Sequence, residues 1–185
     1  MGRERHSEPR KMRPQFLVVC EGETEEAYIA FQRQRYRIPI KIVAKVAGGK
    51  VSQRLIDQYK SEMTSDASEI TTFLMYDGDV PEVVHSLETC DGNMLISTPC
   101  IEIWFIAHNG EVPSNLLSSD SCVQKLRLMK GWESYKKGML SLGQQDVLWE
   151  NRQTAVKLMS AKSLTTVCYS SIYKLIDVLE TFANI

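Results

Sequence analysis

A chain of 185 residues is long enough for one domain with a buried core. Hydrophobic residues make up 43% and charged residues 24%, a balance that argues against a disordered chain, a collagen and a coiled coil. The formal net charge of −1 gives no overall field that would draw the chain to nucleic acid or membrane.

Basic residues are concentrated at the start of the chain, where five arginines and lysines stand among the first 13 residues. We interpret residues 1–13 as a flexible, solvated basic tail, with a phosphate-facing patch as the alternative. Residues 14–185 are then expected to form a single α/β domain that ends in a helical extension.

The five cysteines are scattered without metal-ligand spacing, and their odd number comes without a secretory leader. Reduced thiols in a cytoplasmic protein are therefore expected, and zinc is not. No apolar run reaches the length needed to cross a bilayer, so no membrane contact is expected.

Strand and helix patterns alternate through about residue 108. Short apolar runs predict buried strands at 16–20, 40–46, 72–76 and 94–97. Between them, helical patterns cover 24–36, 51–62 and 81–89, and Thr24 is the predicted cap of the first of these helices. This alternation predicts an α/β fold with a parallel sheet of about four strands flanked by helices.

After Pro99 the strand signals stop, and the remaining patterns are helical. Helices are predicted at 101–107, 121–130, 144–161 and 169–183, with a polar loop at 110–120. We expect these additional C-terminal helices to pack on the sheet and not to form a second domain.

Acidic side chains follow two of the predicted strands. Glu21 comes directly after the first strand, in the run VVCEGETE at 18–25, and Asp77 and Asp79 end the third, in the run FLMYDGD at 73–79. In an open α/β sheet the carboxyl ends of the strands hold the functional site. In extended geometry Asp77 and Asp79 point the same way. The sequence therefore predicts that three carboxylates meet at one edge.

Carboxylates held close together raise one another's pKa unless a cation lies among them. Hard oxygen ligands suit Mg²⁺ or Mn²⁺, and such an ion activates water and polarises a phosphodiester. We therefore predict Glu21, Asp77 and Asp79 as metal ligands. The alternative is that these acids only cap helices and turns, since Asp and Gly are common turn residues.

The chain resembles the Toprim domain of topoisomerases, primases and overcoming-lysogenization-defect (OLD) nucleases in its strand-Glu-Gly-x-x-acid turn and its later Asp-x-Asp. More narrowly, it resembles the RloB-like family of bacterial proteins, related to abortive-infection proteins, over about residues 14–180. The run STPCIEIW at 97–104 and the run SSIYKL at 170–175 also carry that resemblance.

The resemblance implies a Rossmann-like Toprim core, Mg²⁺ dependence and nuclease activity in defence against phage or foreign DNA. Glu21 would be the acid/base or metal-bridging glutamate, and Asp77 and Asp79 the metal ligands. Glu25 would act through the metal or a water. Glu102 would be a fourth candidate, with a buried structural acid or a helix first-turn acid as its alternatives.

Three functions stay open from the sequence. The first is a metal-dependent phosphodiesterase that acts on DNA or RNA. The second is a non-catalytic module that binds nucleic acid or a partner subunit, such as an ATPase encoded nearby. The third is a phosphatase or nucleotide hydrolase in which Asp77 is the nucleophile. A homodimer is a further expectation, because two strands could then be cut.

Overall fold

The structure is a computed structural model that describes residues 15–44, 51–63, 70–163 and 166–183. Within these residues one sheet has five strands in the order β2-β1-β3-β4-β5. The strands are β1 (Gln15–Cys20), β2 (Ile40–Ala44), β3 (Ile70–Asp77), β4 (Asn93–Thr98) and β5 (Tyr169–Ser170). The predicted tail at 1–13 and the end of the second predicted strand, 45–46, lie outside the described residues.

Eight helices flank the sheet within the described part of the chain. They are α1 (Glu23–Tyr36), α2 (Gln53–Ser61), α3 (Pro81–Glu88), α4 (Glu102–Ala107), α5 (Ser119–Arg127), α6 (Leu142–Glu150), α7 (Arg152–Ser160) and α8 (Tyr173–Ala183). The first four strands are parallel to one another, and β5 runs antiparallel to β4. The α/β prediction is thus confirmed.

Side chains of the central strands alternate between two cores, as the twofold period of a strand requires. Phe16 and Val18 of β1 point into the larger core, together with residues of α1, α4, α5 and α8. Leu17 and Val19 point into the smaller core, with residues of α2 and α3. Helices therefore cover both faces, and the sheet's carboxyl edge is left as the place where polar side chains gather.

The C-terminal third departs from the prediction in two places. The predicted helix 144–161 is two helices, because Asn151 lies at φ −98°, ψ 10° and serves as the end of α6 and the start of α7. The predicted helix 169–183 begins only at Tyr173. The four residues before it lead to the sheet, where Tyr169 and Ser170 form β5.

Serine side chains hold β5 and the residue after it against β4. Ser171 donates its backbone N–H to Ile96 O at 2.9 Å, and its Oγ accepts the N–H of Ile96 at 2.7 Å. The buried hydroxyls of Ser170 and Ser97 lie 2.9 Å apart. A two-residue strand held in this way has no periodic pattern, which explains why the sequence did not reveal it.

None of the helices in the described ranges is long and apolar enough to cross a membrane.

Candidate active site

The strand order places the predicted site at a switch point of the sheet. From β1 the chain goes to β2 on one side, and then to β3 on the other side of β1. Crevices of this kind, at the carboxyl ends of the two strands, are where open α/β sheets bind ligands. Glu21 follows β1 directly, and Asp77 is the last residue of β3.

Hydrogen bonds tie these two acids to each other's strands. The backbone N–H of Asp77 donates to Glu21 Oε2 at 2.7 Å, and the N–H of Glu21 donates to Met75 O at 3.0 Å. Asp77 Oδ1 accepts the N–H of Ile101 at 3.1 Å. The two carboxylates are thereby fixed beside each other and beside the start of α4.

Gly78 allows the chain to turn directly after Asp77. Its N–H donates to Ser97 O at 2.8 Å, so its backbone lies against β4. A Cβ at this position would lie 2.8 Å from the Ile96 side chain and 2.5 Å from that of Thr98. Only glycine therefore fits here without pushing β4 away from the end of β3.

Asp79 does not share the pocket with Asp77. The strand β3 ends at Asp77, so the extended geometry assumed for the Asp-x-Asp pair does not hold beyond that residue. Asp79 lies in the following bend and is exposed. It still acts at a distance, because its charge is one of the causes that raise the pKa of Glu21 and of Asp77.

The start of α1 brings a second glutamate to the site. The helix is capped by Gly22 and not by Thr24 as predicted. Thr24 is nearly buried, and its Oγ1 accepts the backbone N–H of Gly138 at 2.9 Å. Glu25, one residue later, is 5% exposed.

Glu102, in the first turn of α4, is completely buried. Its Oε1 accepts a hydrogen bond from Tyr135 Oη at 2.8 Å. Its Oε2 makes no hydrogen bond within the described part of the chain. The nearest cation is Lys137, whose Nζ is 3.9 Å from Oε1. Half of this carboxyl group is thus a buried acceptor without a partner among the described residues, which an ion or a water could satisfy.

These side chains line a cavity of about 380 Å³, which we call the acidic pocket. Its lining residues are Glu21, Gly22, Glu23, Thr24, Glu25, Asp77, Ile101, Glu102, Lys137 and Gly138. Four of the five predicted site residues are therefore brought together, and Asp79 stands outside the lining.

Burial and mutual repulsion raise the pKa values of these acids. The pKa of Asp77 is raised to about 9, chiefly by burial and then by the charges of Glu25, Glu21 and Glu102. Burial is also the main cause that raises the pKa of Glu25 to about 7. The pKa of Glu21 is raised by burial, although the hydrogen bond from Asp77 opposes the shift. Such a cluster favours bound protons or a bound cation.

The chemistry of these groups fits a hard divalent cation. The donors are carboxylate oxygens, which Mg²⁺ and Mn²⁺ prefer, and one oxygen of Glu102 is buried without a partner. Over the described ranges, no group of three or more His, Cys, Asp or Glu side chains is arranged to hold a metal ion as it stands. An ion would therefore have to draw the carboxylates together.

The sequence interpretation missed the loop at 132–141, which closes one side of the acidic pocket. Tyr135 contacts Glu102, Gly138 contacts Thr24, and Lys137 lines the cavity. The aromatic and basic run YKKG at 135–138 is the only signal for it in the sequence. No spacing connects that run with acids more than 30 residues away.

Replacing Tyr135 with Phe is expected to destabilise the protein and to loosen Glu102. The change removes the hydrogen bond from Tyr135 Oη to the buried Oε1 of Glu102. Leaving a buried acceptor unsatisfied costs about 1–3 kcal/mol. Urea unfolding would measure this loss. Tyr59→Phe is a suitable control because Tyr59, on α2, does not line the acidic pocket. An unchanged midpoint for Tyr135→Phe would contradict the positioning role.

The fold and the pocket define a class: an α/β protein with an acidic pocket at the switch point of a mostly parallel sheet. The chain belongs to the RloB-like protein family, whose sequence model matches residues 16–179. No curated protein and no solved structure matches the chain.

Proposed function

We propose that this protein is a metal-dependent phosphodiesterase, a nuclease of the Toprim class that acts in the cytoplasm. The observation that carries the proposal is the crowding of Glu21, Glu25, Asp77 and Glu102 around one pocket at the switch point of the sheet. Keeping several carboxylates at one buried place is unfavourable unless they bind something positive. A hard cation together with a substrate phosphate is the ligand that suits this set.

In this proposal Glu21, Asp77 and Asp79 would hold the metal, Glu21 and Asp77 from the lining of the acidic pocket and Asp79 from the bend after β3. The metal, Mg²⁺ or Mn²⁺, would polarise the phosphodiester and lower the pKa of a bound water. Glu25, whose pKa in the metal-free protein is raised to about 7 by burial, would act through the metal or a water. Glu102 would accept a hydrogen bond or a metal contact through its unpaired Oε2.

The biological setting is also part of the proposal. Membership of the RloB-like family and the order of the acidic motifs support a role in bacterial defence against phage or foreign nucleic acid. DNA or RNA would be the substrate. A partner subunit, such as an ATPase, and a homodimer are the assemblies that we propose to test first.

A calorimetric titration of the wild-type protein with Mg²⁺ and Mn²⁺ tests the proposal directly. We expect saturable binding of at least one of the two ions, tighter in the presence of an oligonucleotide because phosphate oxygens complete the coordination. Labelled single- and double-stranded DNA and RNA would then be screened for metal-dependent cleavage. Absence of ion binding, with and without an oligonucleotide, would contradict the proposed function.

A non-catalytic module that binds nucleic acid or a partner is the second candidate. The observation in its favour is that Glu21 and Asp77 already accept backbone hydrogen bonds, from Asp77 and Ile101 respectively. In that case the acids hold the turns of the sheet edge together. Retained biological function after neutralisation of Glu21, Asp77 and Asp79 together would favour this candidate.

A further inference from the structure

The 132–141 loop is fitted closely to the first turn of α1. Gly138 has φ +78°, which favours glycine, and a Cβ there would lie 3.0 Å from Glu23 Oε2. Its N–H is bound to Thr24, and Tyr135 of the same loop is bound to Glu102. Lys137, between these two anchors, is therefore held at the acidic pocket by its neighbours on both sides.

The negative charge of the acidic pocket opposes the binding of a phosphate group. Five of the residues that line it are acids, namely Glu21, Glu23, Glu25, Asp77 and Glu102, and Lys137 is the one cation among the lining residues. A phosphodiester is itself an anion, and like charges at short range disfavour its entry. A cation supplied by the protein at the mouth of the pocket would reduce this repulsion.

The surroundings of Lys137 leave it able to bind an anion. Its Nζ lies 3.9 Å from Glu102 Oε1, which is too long for a hydrogen bond, and its side chain is 52% exposed. It also donates a hydrogen bond to Ser119 Oγ, and its charge acts on Glu25. An ammonium group has three donors, so at least one remains for a further acceptor.

We propose that Lys137 binds the phosphate group of the substrate at the mouth of the acidic pocket, an inference that rests on the proposed function. Lysine binds phosphate as a point charge, so its contact is specific for anions and not for a base. Lys137 is therefore a substrate-binding residue in addition to the acids, and it does not favour one nucleic-acid base over another.

Binding of inorganic phosphate in the presence of Mg²⁺, followed by ³¹P NMR, is the experiment that tests this inference. We expect the wild type to bind phosphate and Lys137→Ala to bind it at least about tenfold more weakly. Lys137→Arg, which keeps the charge, should bind within a small factor of the wild type. Lys136→Ala is the matched control, because Lys136 is an exposed neighbour that does not line the acidic pocket.

Three results would overturn the inference: no phosphate binding by the wild type, equal binding by wild type and Lys137→Ala, or an equal loss in Lys136→Ala. Thermal unfolding and Mg²⁺ titration of Lys137→Ala separate phosphate binding from a structural role. The variant should stay folded, and it should bind Mg²⁺ at least as tightly as the wild type because a positive charge has been removed from the pocket. If that variant unfolds early, Lys137→Gln replaces it. If the wild type does not bind Mg²⁺, the proposed function is wrong. If it binds Mg²⁺ but Lys137→Ala binds phosphate as tightly as the wild type, only this inference is wrong.

Discussion

Replacing Asp77 with Asn is expected to abolish tight binding of Mg²⁺ and to slow metal-dependent cleavage by about a hundredfold or more. Asp77 lines the pocket, and its pKa is raised first by burial and then by the charges of Glu25, Glu21, Glu102 and Asp79. Removing its charge takes away one ligand and part of the attraction for the cation. Calorimetry and a cleavage assay on the best substrate from the nucleic-acid screen would measure the two losses.

The fold should survive this change. The side-chain oxygen of Asn can still accept the N–H of Ile101, and the N–H of residue 77 can still donate to Glu21. In the metal-free wild type Asp77 must take up a proton on folding, because its pKa is raised to about 9, whereas Asn has no such requirement. The metal-free variant should therefore be at least as stable as the wild type. A loss of activity together with unchanged or higher stability would exclude simple misfolding.

Asp91→Asn is the matched control. Asp91 precedes β4 at the opposite edge of the sheet, and its side chain is 83% exposed. Its ion pair with Lys60 is the only part of the structure that this change should affect. Wild-type metal binding and cleavage are expected. Cleavage by Asp77→Asn at the wild-type rate would contradict the proposed role of the acidic pocket.

The metal-free protein is expected to lose stability as the pH rises from about 6.5 to 9. The pKa of Asp77 in the folded protein is about 9, far above the ordinary value of an aspartate in an unfolded chain. The folded state therefore holds a proton that the unfolded state has released. Stability that depends on this proton is fully present at low pH and is lost as the pH rises through the folded pKa.

Two other groups define the useful pH window. Glu25 has a pKa of about 7 in the folded protein, so its contribution to stability also falls as the pH rises. This fall is complete at a lower pH than that of Asp77. His108 acts in the opposite direction, because its burial lowers its pKa to about 4 and favours the neutral form as the pH rises toward 6.5. Above pH 6.5 the contribution of His108 is constant. The buried thiols of Cys20 and Cys168, whose pKa values are raised by burial, add to the slope only near the upper end of the range, where cysteines of the unfolded chain ionise. Below about pH 8 the slope therefore belongs mainly to the carboxyl groups.

Urea unfolding at several pH values, with EDTA and with Mg²⁺, would measure this slope. Each pKa unit corresponds to about 1.4 kcal/mol, so we expect a decrease of a few kcal/mol without metal. Mg²⁺ should restore stability most at high pH, because metal binding replaces the protons. In Asp77→Asn the slope should be much smaller. A flat profile for the metal-free wild type would show that the carboxyl groups do not repel one another as described.

The parallel core could be predicted because its signals are local. The strands β1 to β4 are short apolar runs separated by helical patterns, and the rules for βα units then place their carboxyl ends at one edge. Glu21 and Asp77 were predicted together for this reason, and the order of β1 and β3 in the sheet brings them together. The residue type and its position directly after a strand are sufficient to predict that these two acids meet.

The remaining features depend on contacts between distant parts of the chain. The bend after Asp77 is dictated by the close approach of Gly78 to β4, which no local pattern reveals. The pairing of Ser171 with Ile96 brings together residues 75 positions apart. Tyr135 and Lys137 reach the acidic pocket because their loop docks on α1. In each case tertiary contacts determine the local geometry, so sequence periodicity carried no information about it.

The hydrogen bonds from Tyr135 to Glu102, from Ile101 to Asp77 and from Asp77 to Glu21 form one connected series. They join four segments of the chain that would be far apart if the protein were unfolded. The entropy of bringing these acids together is therefore lost during folding and not during binding. An arriving cation would meet carboxylates that are already gathered at one edge of the sheet and would only have to draw them closer together. The cost of their repulsion would already be part of the stability of the folded protein.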